Sequence, residues 1–191
     1  MSVDPYVDPV TGLLRNRLGI DKPQRLREAE AGLTLAAIQD LGTRLLPGGY
    51  DLPHLQAFHR EIFGDIYPWA GQIRTVAIAK TDLFCLPLHI EDYANGVFAE
   101  LAGEKNLRAL SRDSFTDRVT HYYAEVNAIH PFREGNGRAQ RAFFGQLARE
   151  AGWPMDWSDI DARENTEASI AALRGDNGPL RDMLDRLVTP E

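Results

Sequence analysis

The sequence predicts a mostly helical bundle carrying one small β-hairpin. Apolar residues recur at spacings of three and four over most of the chain, most clearly at Phe115, Val119, Tyr122, Val126 and Ile129. A single stretch, GQIRTVAIAKTDLFCLP, is instead rich in strand-favouring side chains. With 191 residues, 43% hydrophobic and 26% charged, and no internal repeat, the chain suits one well-packed domain.

The elements follow in order. Residues 1–20, with Asp-Pro twice and Thr-Gly once, read as an arm laid over the surface of a single domain spanning 21–191. DKPQRLREAEAGLTLAAIQDLG predicts a helix capped by Asp21, with Pro23 in its first turn and Leu26, Leu33, Leu35, Ile38 and Leu41 as its apolar positions. A second helix starts after Asp51, uses Leu52, Leu55, Phe58, Ile62 and Phe63, and ends near Tyr67-Pro68. The hairpin is expected over roughly 73–86, with Ile73, Val76, Ile78, Phe84 and Cys85 on its arms and Lys-Thr-Asp between them. Helices are expected again over 87–102, 111–129 and 138–152, then more weakly over about 159–173 and 178–188. Trp69 and Trp153 read as packing anchors. His54, His59, His89 and His121 read as lying on separate helices, forming no ligand set and available to the surface.

Charge and composition narrow the function. The formal charge is −7, with 21 basic against 28 acidic residues, which disfavours nucleic-acid binding through the phosphate backbone. Any anion must be held by a local cluster of donors. The single cysteine, Cys85, cannot form an internal disulfide, and no Cys/His spacing suggests zinc. The N-terminus lacks the pattern of a signal peptide and no run approaches membrane-spanning length, so the cytoplasm is the expected compartment.

The chemistry concentrates in HPFREGNGRAQR, His130 to Arg141. Pro131 disfavours helix at the residue before it, ending the preceding helix near Ile129 and placing the His130 imidazole at a loop mouth, where a neutral ring can take a proton from a hydroxyl. Gly135, Asn136 and Gly137 allow close backbone approach just before a helix whose first N–H groups lack partners, an arrangement that cradles phosphate. Arg138 and Arg141, three apart in the first turn, crowd cations at the positive end of the helix dipole, which is unfavourable without an anion. Glu134 beside such a cradle is repulsive unless a metal bridges it, and Mg²⁺ commonly takes one or two carboxylates plus phosphate oxygens. Phe132 reads as the hydrophobic anchor of the loop. Together these residues read as a nucleotide-using transferase.

The same twelve residues resemble the signature of the Fic domain, His-Pro-Phe-x-Asp/Glu-Gly-Asn-Gly-Arg-x-x-Arg, at every defined position. YPWAGQIRTV, residues 67–76, resembles the approach to that family's target-binding flap, and TGLLRNRLGI resembles its bacterial members. The likeness covers most of residues 50–155. It implies a Fic-type helical fold and a protein adenylyltransferase that moves AMP from ATP to a hydroxyl of a target protein. It assigns His130 as base, Glu134 as Mg²⁺ ligand, Gly135, Asn136 and Gly137 as the anion hole for the α- and β-phosphates, and Arg138 and Arg141 as contacts of the β- and γ-phosphates. The hairpin becomes a flap along which the target backbone adds as a strand, with Ile73, Val76, Ile78 and Lys80 as its contacts; Lys80 reads more readily as a solvated turn residue.

Many Fic proteins carry an inhibitory helix with Ser/Thr-x-x-x-Glu-Gly/Asn, whose glutamate pairs with the last signature arginine, here Arg141. Glu134-Gly135 has His130 four residues earlier, and Glu164-Asn165 has Ile160, so neither fits. This resembles the subclass of toxins silenced by a separate small antitoxin. Two further readings stand beside AMP transfer: a Fic-type enzyme moving a phosphoryl or other nucleotide-derived group, and a catalytically idle flap-binding module.

Overall fold

The computed structural model describes residues 4–79 and 82–189, and seven α-helices lie within them. They are α1 (Pro23–Thr43), α2 (Leu52–Phe63), α3 (Ile90–Gly103), α4 (Arg112–Ile129), α5 (Asn136–Ala151), α6 (Ala162–Leu173) and α7 (Gly178–Leu187). Helix α5 packs on α1, α2 and α4, while α6 and α7 pair with each other against the far side of α4. Phe143 of α5 is fully buried among the rings of Tyr50, Phe58, Phe98 and Phe144, at centroid separations of 5.3–5.8 Å. Edge-to-face ring packing of this kind favours one arrangement of the bundle over others.

The helix starts are chemically marked. The Asp51 side chain accepts from the His54 N–H at 2.9 Å, and the Ser111 hydroxyl accepts from the Ser114 N–H at 3.3 Å. Helix α1 departs from expectation: its N-cap is Lys22, no side chain caps it, and Asp21 plays no part. Pro23 supplies the start instead, since its missing N–H would be unpaired there anyway. The apolar stripe of α1 is also narrower than expected. Leu26 and Leu41 are buried and Ile38 partly so, but Leu33 and Leu35 are exposed, and Thr34 takes the inward position.

The largest correction concerns the hairpin. Among the described residues, 73–86 doubles back with only an isolated antiparallel bridge, Ala79 to Leu83, and no paired strands. Its polar groups are spent elsewhere. The Arg74 N–H donates to the Pro131 carbonyl (2.9 Å) and the Cys85 N–H to the Ala128 carbonyl (3.0 Å). The Arg74 guanidinium, 1% exposed, donates to the carbonyls of Val76 (2.7 Å), Cys85 (2.5 Å), His130 (2.8 Å) and Ile129 (3.3 Å). A strand ladder needs those acceptors, and a buried arginine has taken them. Lys80 lies outside the described residues.

The N-terminal arm folds on itself through an isolated bridge, Val7 to Leu14. Tyr6 is buried, meets Trp69 edge-to-face at 5.4 Å, and accepts a hydrogen bond from the Thr75 N–H at 3.0 Å. Asp4 pairs with Arg133 at 2.8 Å. The arm thus touches both the 73–86 segment and the signature loop. Among the described residues no helix is long and apolar enough to cross a membrane.

Candidate active site

The site is built where α4 ends and α5 begins. Helix α4 stops at Ile129, and His130 is its C-cap in the left-handed region, φ 47° and ψ 60°. That conformation costs a non-glycine residue on the order of 1–2 kcal/mol. Three contacts hold it: Arg74 on its carbonyl, the fixed ring of Pro131 after it, and Phe84, whose ring stacks on the imidazole at 3.8 Å and 10°. The imidazole Nδ1 lies 3.3 Å from the Asn127 carbonyl. A carbonyl can only accept, so Nδ1 carries the proton and Nε2 carries the basic lone pair.

The loop from Phe132 to Gly135 is braced from within. Asn136 is buried, and its amide clamps the backbone of Phe132 from both sides, accepting from the N–H at 2.8 Å and donating to the carbonyl at 2.7 Å. Its oxygen and one of its two amide N–H groups are therefore committed to the fold. Gly135 has φ +80°, and a Cβ there would lie 2.2 Å from the Phe63 ring, so no other residue fits. At Gly137 an added Cβ would meet only the Arg141 guanidinium, at 3.4 Å. Packing within the protein does not ask for glycine at 137. The bare backbone faces open space.

His59 supplies the underside. It is fully buried, lies against Phe132 and Phe63, accepts from the Gly71 N–H at Nδ1 (2.9 Å) and donates from Nε2 to the Glu134 carbonyl (2.9 Å). Burial pushes its pKa down to about 4, so it stays neutral in this tautomer. His54 and His59 share α2, contrary to the expectation of separate helices, and both are buried.

Two cavities meet at His130 and Gly137. One, of 380 Å³, is lined by Glu134, Gly135, Asn136, Arg138 and Arg141 as well as Ile78 and Arg133. The other, of 140 Å³, runs towards α6 between Phe84, Tyr123, Ile170 and Leu173, with Asn127, Gln140 and Asn165 among its polar walls. Of the signature residues, His130, Glu134, Gly135, Asn136, Gly137, Arg138 and Arg141 come together, and Ile78 reaches them. Ile73 packs on the hydrophobic core, and Val76 lines a separate 550 Å³ cleft beside Asp4 and Arg133.

Arg138 and Arg141 differ in their surroundings. Arg138 turns to α1 and pairs with Glu30 at 2.6 Å, whereas Arg141 lies by Gly137 and the Tyr123 phenol. Glu134 is about half exposed and stands 3.5 Å from Arg138. The pattern of the sequence does not single out Arg74, His59, Phe84 or Glu30. Arg74 alone left a trace, as a cation within a stretch otherwise suited to a strand.

Residues 49–148 match the Fic/DOC family. The chain is 41% identical to the protein adenylyltransferase VbhT of Bartonella schoenbuchensis, over 98% of this chain but 40% of that protein's length. It is 40% identical to the probable protein adenylyltransferase Fic of Salmonella typhimurium, over 97% of this chain and 92% of that one. The crystal structure of BepC from Bartonella tribocorum, which has AMPPNP bound, superposes with a TM-score of 0.90 at 26% identity, over 97% of both chains. The signature, the helical frame around it and these likenesses agree: the chain belongs to the Fic/DOC family.

Proposed function

We propose that this chain is a protein adenylyltransferase that moves AMP from ATP to a hydroxyl side chain of another protein. One observation carries the choice of group: the cradle and the smaller, partly apolar cavity meet at His130 and Gly137. A nucleotide with its nucleoside in the second and its outer phosphates against Arg138 and Arg141 has its α-phosphorus at the junction. That is the phosphorus beside the base. The named adenylyltransferase relatives and the AMPPNP-bound neighbour support the same donor.

His130 Nε2 takes the proton of the target hydroxyl as that oxygen attacks the α-phosphorus. The new O–P bond forms as the bond to the β-phosphate oxygen breaks, and pyrophosphate leaves. The N–H groups at the start of α5, where no side chain caps the helix, meet the charge that grows on the α-phosphate. Arg138 and Arg141 hold the β- and γ-phosphates. Glu134, half exposed at the rim of the cradle, is the residue that would hold a Mg²⁺, which would supply positive charge to offset that of the triphosphate.

The target docks along 75–79, where Ile78 opens onto both neighbouring clefts and brings a bound segment close to His130. The cleft between α1 and α5, lined by Ile38, Leu41, Gly42, Ala142 and Gly145 beside Arg138 and Arg141, suits a small helical antitoxin whose glutamate reaches Arg141. In that setting the chain acts as the toxin of a pair.

ATP labelled separately on the α- and γ-phosphate, offered with Mg²⁺ to a cell lysate, tests the reading. Label from the α-position is expected in a protein band. Protein labelling from the γ-position alone would establish phosphoryl transfer instead, and labelling from neither would leave the binding-module reading.

A further inference from the structure

Glu30 sits on α1, over a hundred residues from the signature in sequence, yet its carboxylate ends in the site. The side chain is 17% exposed and meets Arg138 Nη2 at 2.6 Å. Thr34, one turn later on the same face of α1 and buried, accepts from Arg138 Nη1 at 3.2 Å. The flat face of the guanidinium rests on the Phe63 ring, 4.7 Å from its centroid. The other Glu30 oxygen accepts from the Tyr67 hydroxyl, whose pKa is driven up by burial and by Glu30, so it stays a donor. Each carboxylate oxygen therefore has one assigned partner, and Arg138 is held at two of its nitrogens and on one face.

A free arginine at a binding site loses rotamer entropy when a ligand fixes it. Here that loss has been met within the fold. A guanidinium has five N–H donors, and Glu30 and Thr34 engage one each. The remainder lie on a side chain that lines the cradle with Gly137 and Arg141. Glu134, at 3.5 Å, is too distant to hold Arg138 in the same way.

We infer that Glu30 is a positioning residue: from α1, steadied by Tyr67, it holds Arg138 in the pose that meets the outer phosphates of the nucleotide. The inference rests on the phosphate assignment made above. It differs from an inhibitory contact, because Thr34 and Phe63 hold the arginine in the same place and the fork is steadied rather than taken away.

The test is calorimetric titration of ATP, ADP and AMP into the full chain and its Glu30→Ala, Glu30→Gln, Arg138→Ala and Glu30→Ala/Arg138→Ala variants. Removing Glu30 is expected to weaken ATP and ADP by about tenfold, the scale of one charge-assisted hydrogen bond, and to change AMP by less than about twofold. Glu30→Gln, which keeps shape and hydrogen bonding, should fall between wild type and Glu30→Ala, and it decides the matter if Glu30→Ala does not fold. The double variant should bind ATP like Arg138→Ala alone. In turnover the loss should appear in KM for ATP rather than in kcat. Parallel loss of AMP binding would mean a general structural role, and tighter ATP binding would mean that Glu30 competes with phosphate; either overturns the inference, as does additivity in the double variant. A wild-type chain that prefers ATP to AMP, with Glu30 variants that keep the full preference, overturns this inference alone. A wild-type chain with no such preference overturns the phosphate assignment and this inference with it.

Discussion

The signature loop and the 73–86 segment both touch His130, and they are built on opposite terms. The loop is closed on itself: Asn136 clamps Phe132, His59 holds the Glu134 carbonyl, and Phe63 fills the space beside Gly135. The 73–86 segment is anchored at its ends, through Arg74 and Cys85, and carries a single bridge between. One region has its backbone braced from several sides. The other leaves backbone at the rim, exposed at Thr75, Ala77 and Ala79. On the proposed function, the chemistry has a braced seat and the contact with target proteins an open one.

The sharpest way to break this comparison is to remove the proposed base. His130→Ala should lower transfer by roughly 10²–10⁴-fold, the usual value of a general base, with ATP affinity largely kept. Label transfer and calorimetry on the same preparation separate the two effects. Equal loss of ATP affinity in His130→Ala and Arg141→Ala would contradict the division of roles.

The braced seat should also show in acid. His59 has a folded-state pKa of about 4, below the ordinary value near 6.5, so between these limits the unfolded chain binds the extra proton. Stability is then fully present above pH 6.5 and falls as pH drops towards 4, by about 3 kcal/mol. His54, also lowered chiefly by burial, adds to the loss in the same direction. Urea unfolding at stepped pH, without nucleotide or divalent ion, measures the slope; His59→Gln should flatten it.

Within the cradle the two glycines should part company. Gly135→Ala forces a Cβ against Phe63 in a left-handed backbone and should cost roughly 2–4 kcal/mol of stability. Gly137→Ala meets only the tip of Arg141, so the unfolding midpoint should stay close to wild type while ATP affinity drops. Similar thermal shifts for both would mean that Gly137 is needed by the fold.

The smallest effect on stability belongs to the open region. Ala77→Asp, at an exposed position, should stay within about 0.5 kcal/mol of wild type yet lower labelling of protein targets at unchanged ATP affinity. Undiminished labelling would move target docking away from 75–79.

What could be read from the sequence divides along the same line. Helix positions followed from apolar spacing because α2 and α4 bury apolar residues three and four apart, and α4 ends at Ile129 as His130-Pro131 required. The composition of the signature loop singled out residues that the fold brings together, because local backbone rules act over a few residues. The hairpin was misjudged because strand propensity reports side chains suited to a pleated surface, not where the carbonyls find donors. Arg74 reaches across 55 and 56 residues to Ile129 and His130, and no periodicity carries such information. Glu30 was invisible for the same reason, being 108 residues from Arg138. Its neighbours Leu33 and Leu35, read as core, face outward, while Thr34 turns inward to the arginine.

The commitment of the Asn136 amide to Phe132 has an evolutionary consequence. On the proposed function, the α-phosphate meets main-chain N–H groups at the start of α5, which only a change to proline can remove, while Arg138 and Arg141 hold the outer phosphates. Exposed side chains along 75–79 carry no such constraint, and a lineage can exchange them one at a time. Preference for client protein can drift there without disturbing the backbone at the start of α5.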